Sequence, residues 1–178
     1  MDIDEFWQLI EHSGGERPGD QDAREEWLIA ALTRLDPVHI EDFEIRLQEL
    51  RDRIDNAAVW GAAEVVYDGA SDDTFWYFQC WLIGQGRERF ELVEADPDAL
   101  ATLPGIRRLA GRRYRDWADD EWPDWESLDY VAGKAHPGDL EEALAARGFT
   151  SRCDPLPPDW ESMPPYPRLR GLFPHSRE

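Results

Sequence analysis

Apolar positions recur at helical spacing through most of the chain, and alternating strand-like runs are absent. The first stretch, Asp4 to His12, places Phe6, Leu9 and Ile10 on one face, with Asp2 or Asp4 available as a cap. Gly14, Gly15, Pro18 and Gly19 then break the chain. A second helix is predicted from about Asp20 to Leu35, with a stripe of Trp27, Leu28, Ala31, Leu32 and Leu35. Asp36-Pro37 reads as a cap followed by a first-turn proline. The third helix carries Ile40, Phe43, Leu47, Leu50 and Ile54, and its outward face alternates Glu, Arg and Asp. A shorter helix, Ala57 to Tyr67, ends at Asp68-Gly69.

Ser71-Asp72-Asp73 opens the aromatic run Phe75 to Ile83. The run has no polar face, so it is expected to be central and buried. A buried strand competes, because aromatics favour sheets. The Ser-Asp-Asp start and the Gly84 stop favour helix. Further helices are predicted near Arg87, from Asp96-Pro97 with Leu100 and Leu103, from Trp125 to Lys134, and from Asp139 to Arg147.

From Ser151 onward the character changes, since 7 of the 13 prolines fall there. Regular helix is not expected in this tail. It also carries Trp160, Tyr166, Leu169, Leu172 and Phe173, too many apolar groups for a passive linker. The expected organisation is an all-α domain of compact, multi-helix form over residues 1–150, built around the central aromatic helix. A proline-rich extended tail, 151–178, packs on it.

Composition narrows the function classes. The 178 residues carry 19 basic and 39 acidic side chains, a net charge of −20. Such a chain repels nucleic acid and anionic membranes unless its positive charge is clustered. The only basic cluster is Arg107, Arg108, Arg112, Arg113 and Arg115, and seven acids follow it by Asp129. Mutual neutralisation is the simpler reading. The expected partners therefore exclude nucleic acid and membrane and include another protein, one with a basic surface. Eighteen arginines against the single Lys134 reflect codon bias rather than selection for anion contacts. Cys80 and Cys153 are too few for a disulfide scaffold. No leader peptide is visible and no apolar stretch is long enough to span a bilayer, so a cytoplasmic address is expected.

No phosphate loop, dinucleotide fingerprint, nucleophile elbow or zinc motif occurs, and nothing asks for a cofactor or metal. His39 has Asp36 three residues before it, but Asp36 reads as a cap. Two constellations remain. Asp72 and Asp73 near Trp76 suit a cation or a general base, although both also complement a helix dipole. Trp117, Trp122 and Trp125 stand among acids, where exposed indoles would meet a cationic ligand or an arginine-bearing partner. Core packing with a solvated polar edge is the simpler reading.

Several segments together resemble a bacterial family of unknown function, DUF4240. They are Asp4-Glu5-Phe6-Trp7, Trp60-Gly61-Ala62-Ala63, and the block from Ser71-Asp72-Asp73 through Phe75, Phe78 and Trp81 to Gly86. Phe90-Glu91 and Asp96-Pro97-Asp98 with Leu100 belong to the same resemblance. It covers about the first 125 residues, excludes the proline-rich tail, and carries no activity or catalytic residue with it. Two functions stay open: a non-enzymatic protein-binding or regulatory module, and an enzyme or small-molecule or metal binder with a pocket near Asp72, Asp73 and Trp76. A pocket with converging carboxylates favours the second, and a flat aromatic patch favours the first.

Overall fold

A computed structural model describes residues 1–15, 19–152, 154–156, 159, 161 and 163–174, and among them there is no strand. Each early helix begins where the sequence supplies a cap. Asp2 and Glu5 form a reciprocal capping box on α1 (Ile3–Gly14). Asp20 accepts the Ala23 amide at the start of α2 (Gln21–Leu32). α3 (Pro37–Ile54) relies on its first-turn proline, and Asp36 makes no side-chain cap bond. Asn56 accepts two amides at the start of α4 (Ala57–Tyr67), which ends as Asp68 turns left-handed at φ 54°.

The aromatic run is helical: α5 (Asp72–Gly84) starts on the Ser71 hydroxyl. It packs against α1, α3, α4 and α6 (Arg87–Ala95). Phe75, Phe78, Cys80, Leu82 and Ile83 are fully buried. Trp60 stacks on Phe75 at 4.1 Å, and Trp81 stacks on Phe78 at 5.7 Å. Burying so many rings supplies most of the driving force for this layer.

Asp96-Pro97 starts a 3-10 turn, Pro97–Thr102, rather than an α-helix. Pro104 restarts the chain as α7 (Pro104–Leu109), because its ring disfavours helical backbone at Leu103. The predicted helix at 125–134 is a 3-10 turn, Glu126–Tyr130, running into α8 (Val131–Ala135). α9 (Leu140–Ala146) follows, capped by Asp139.

Two expectations are corrected. Only part of the polar side of α3 is a solvent face: Glu49, Asp52 and Arg53 are exposed and Arg46 pairs with Glu49 three residues on, but Glu41, Glu44, Gln48 and Arg51 are all buried. α5, α8 and α9 pack over those four residues, which leaves α3 a narrower exposed stripe than expected. The tail does contain a helix, α10 (Pro167–Leu172). Proline is tolerated there because the first helical residue needs no amide donor. Tyr166 enters α10 at φ 43°, and its hydroxyl donates to the Ala58 carbonyl at 2.6 Å. The ring lies against Gly61, where any side chain would collide with it. The Asp98 carboxylate accepts the Leu169 and Arg168 amides at 2.9 and 3.0 Å, serving as a cap from a distant element. Trp160, Cys153 and His175 lie outside the described residues.

Gly84 shows how closely α5 is approached. A β-carbon there would sit 2.5 Å from Cε3 of Trp125. That indole is 1% exposed, lies under the Arg24 guanidinium at 4.2 Å and donates to Ser127 Oγ at 3.1 Å. Gly84→Ala is expected to cost about 1–3 kcal/mol by overpacking, although alanine is the better helix former by about 1 kcal/mol. A urea midpoint at or above wild type would show that Trp125 yields freely.

Candidate functional site

The residues singled out from sequence are scattered. Asp72 and Asp73 are exposed in the first turn of α5, where they complement the helix dipole. Trp76 is buried and points elsewhere: its Nε1 donates to Asp129 Oδ2 at 3.0 Å. Trp117 and Trp125 are buried, at 7% and 1% exposure. Trp117 packs edge-on to Trp122 at 5.3 Å, and Trp122 stacks on Tyr67 at 6.0 Å. Trp117 and Trp122 thus cluster internally with Tyr67, while Trp125 packs apart from them against Gly84 and Arg24. Only Trp122 is partly open, beside a hollow lined by Asp20, Asp22, Asp119, Asp120 and Asp124. Within the basic cluster, Arg112 forks onto both oxygens of Glu121 at 2.7 Å. That fork and the Ala118 amide pull the Glu121 carboxyl down to about 2.

The polar chemistry inside the molecule gathers around Arg51 instead. This side chain is 1% exposed. Its guanidinium lies over the Trp76 ring at 4.2 Å, pairs with Asp129 Oδ1 at 2.6 Å, and donates to Cys80 Sγ at 2.6 Å. Burial opposes its charge, but Cys80 and Asp129 outweigh burial and hold the group protonated. Burial pushes the Cys80 thiol up to about 11, so it stays a thiol and lacks the thiolate that nucleophilic chemistry needs.

Glu44 lies two turns before Arg51 on the same side of α3 and is 7% exposed. Its Oε2 is buried with no hydrogen-bond partner among the described residues. Burial raises its carboxyl to about 7; Arg51 pulls it down and Asp129 pushes it up. Such a group is costly unless something completes it.

Glu44 and Asp129 line a cleft of about 550 Å³ with Tyr130, Gly133 and Lys134. The opposite wall is Leu140, Glu141, Leu144 and Ala145 of α9, with Phe149 to Ser151 beyond it. Arg147 holds this wall on α3 by pairing with Glu41 at 2.8 Å and Asp42 at 2.6 Å. Arg152 continues the attachment onto Asp55 at 2.8 Å. Among the described residues no cluster of three or more histidine, cysteine, aspartate or glutamate side chains is placed to hold a metal ion. No helix among them is long and apolar enough to cross a membrane.

A family model described as a protein of unknown function (DUF4240) matches residues 1–137. The chain belongs to the DUF4240 family. No curated protein and no solved structure matches it. The DUF4240 region contains Glu44, Arg51, Trp76, Cys80, Asp129 and Lys134, and thus one side of the cleft. α9 and the loop after it lie beyond that region. The Arg51 cluster was hidden in the sequence because its members come from three separate elements. The one local signal was Glu44, Gln48 and Arg51 at i, i+4 and i+7 on α3, which also fits an ordinary solvated face.

Proposed function

We propose that this DUF4240 protein is a small-molecule binding domain whose ligand occupies the cleft between α3, α8 and α9. The observation that carries this reading is the buried Glu44 carboxylate, with an oxygen lacking a partner among the described residues, on a cleft otherwise lined largely by carbon. Ligand sites combine an apolar lining with a few polar groups that fix orientation, and a cleft of about 550 Å³ falls within their usual range of roughly 300–1,000 Å³. Trp117 and Trp125 are buried, so the protein-docking alternative rests on the net charge of −20 and the absence of a catalytic motif.

The neutral dye N-phenyl-1-naphthylamine tests the reading. Its emission is expected to rise on binding and to saturate at one dye per chain. Ala145 lines the cleft and is exposed, so Ala145→Trp fills the space without touching the core. This variant is expected to melt like wild type and to lose at least about nine-tenths of dye affinity, a change of about 1.4 kcal/mol. Undiminished saturable binding in Ala145→Trp would place the ligand elsewhere.

A further inference from the structure

The charges around the cleft do not balance, and the imbalance specifies the occupant. Arg51 is committed to Asp129 and Cys80. Lys134 is committed to Glu25. Both Asp129 oxygens are taken, one by Arg51 and one by Trp76. Glu44 therefore faces the cleft as a carboxylate with no cation of its own among the described residues, and Glu141 adds a second negative charge on the α9 wall. Half-exposed Tyr130 lines the same cleft, a ring of the kind that receives ammonium groups.

We propose that the occupant is an organic cation, a protonated amine on an apolar body, with Glu44 as its counter-charge. This deepens the binding reading above and rests on it. Leu140, Leu144 and Phe149 receive the apolar body, and the ammonium pairs with the Glu44 carboxylate where it lines the cleft. An anion would meet Glu44, Asp129 and Glu141 together. A hard divalent ion takes several carboxylate or carbonyl oxygens at one point, and no cluster of three or more such side chains among the described residues is placed to hold one. The net charge of −20 also raises the local concentration of cations.

Binding on these terms exchanges a proton for a cation. Free Glu44 ionises near about 7, so affinity for an ammonium is full above that pH and falls as Glu44 protonates below it. The charged or titratable groups around Glu44 are Arg51 on its own helix, Cys80 on α5, Asp129 and Tyr130 before α8, Lys134 on α8 and Glu141 on α9. α1 meets α3 through Phe6 on Phe43, with the terminal ammonium on Asp42. His136 lies 3.7 Å from Glu41, one turn from Glu44.

Calorimetric titration of the full chain with n-hexylammonium, 1-hexanol and hexanoate tests the assignment. Hexylammonium keeps its charge throughout, as its amine resembles that of lysine, at about 10.4. At about pH 8 it is expected to bind about tenfold tighter than hexanol, the worth of one charge-assisted hydrogen bond, with hexanoate weakest. At about pH 6 the preference shrinks several-fold. Glu44→Gln is expected to fold, to bind hexylammonium and hexanol alike, and to lose the pH dependence. Equal binding of amine and alcohol by wild type overturns the cation assignment and leaves the binding cleft standing. A pH dependence that survives in Glu44→Gln also overturns the proposal. Binding of none of the three overturns the cleft reading itself.

Discussion

Arg51→Ala is expected to lower the unfolding free energy by about 3–5 kcal/mol, the usual cost of removing one partner from a buried ion pair. Three losses coincide. Asp129 keeps its charge without the 2.6 Å contact that balances it. The Trp76 ring loses the cation stacked on its face at 4.2 Å. The space of a side chain that is 1% exposed is left empty. The charge and the volume separate in a second variant: Arg51→Met refills the space, and Arg51→Met with Asp129→Leu removes both charges together. The double variant is expected to be more stable than Arg51→Met alone, because a buried pair replaced whole by apolar groups costs little. Chemical denaturation of Arg51→Met, Asp129→Leu and the double variant gives the coupling directly. An Arg51→Ala protein within about 1 kcal/mol of wild type would mean that Arg51 is not the centre of the cluster.

Truncation after Thr150 is the other large effect. Tyr166, Leu169 and Phe173 are 2%, 0% and 4% exposed, and all belong to the core. Burial of three such side chains contributes on the order of 5 kcal/mol at about 1.5–3 kcal/mol each. Asp98 would lose the Leu169 and Arg168 amides that, against burial, keep its carboxyl below the usual range. Asp55 would lose Arg152. The truncated chain is expected to melt well below full length and to bind more apolar dye. If it melts like full length and remains monomeric, the tail is not a strap. Proline works in favour of the strap, since it limits the freedom lost when the segment orders.

How much of this could be read from the sequence depended on whether the deciding interactions were local. The start of α5 at Ser71, the extent of α4 and the burial of the Phe75–Ile83 run follow from caps and from the missing polar face, all within a few residues of each other. The 3-10 turn at Pro97–Thr102 was missed because cap-proline patterns do not distinguish it from an α-helix. α10 was missed because a count of prolines ignores that Pro167 occupies the one position where proline is harmless. The site was the least legible part. Trp76 was singled out for its neighbours in sequence, Asp72 and Asp73, yet its partners are Arg51 and Asp129. Glu44 looks like any glutamate on an amphipathic helix until α8 and α9 close over it.

Those late elements have a consequence for how the molecule is born. Ribosomes deliver the chain from its amino end, and domains begin to fold as they emerge. Every member of the Arg51 cluster has been made by Asp129, before the first residue of α9 exists. Until Arg147 and Arg152 arrive, Glu41, Asp42, Asp52 and Asp55 stand along one side of α3 without the arginines that later face them. The nascent protein therefore presents an acidic rail first, and the far wall of the cleft is drawn onto that rail last. A ligand present during translation would meet a half-open site, with Glu44 already in place.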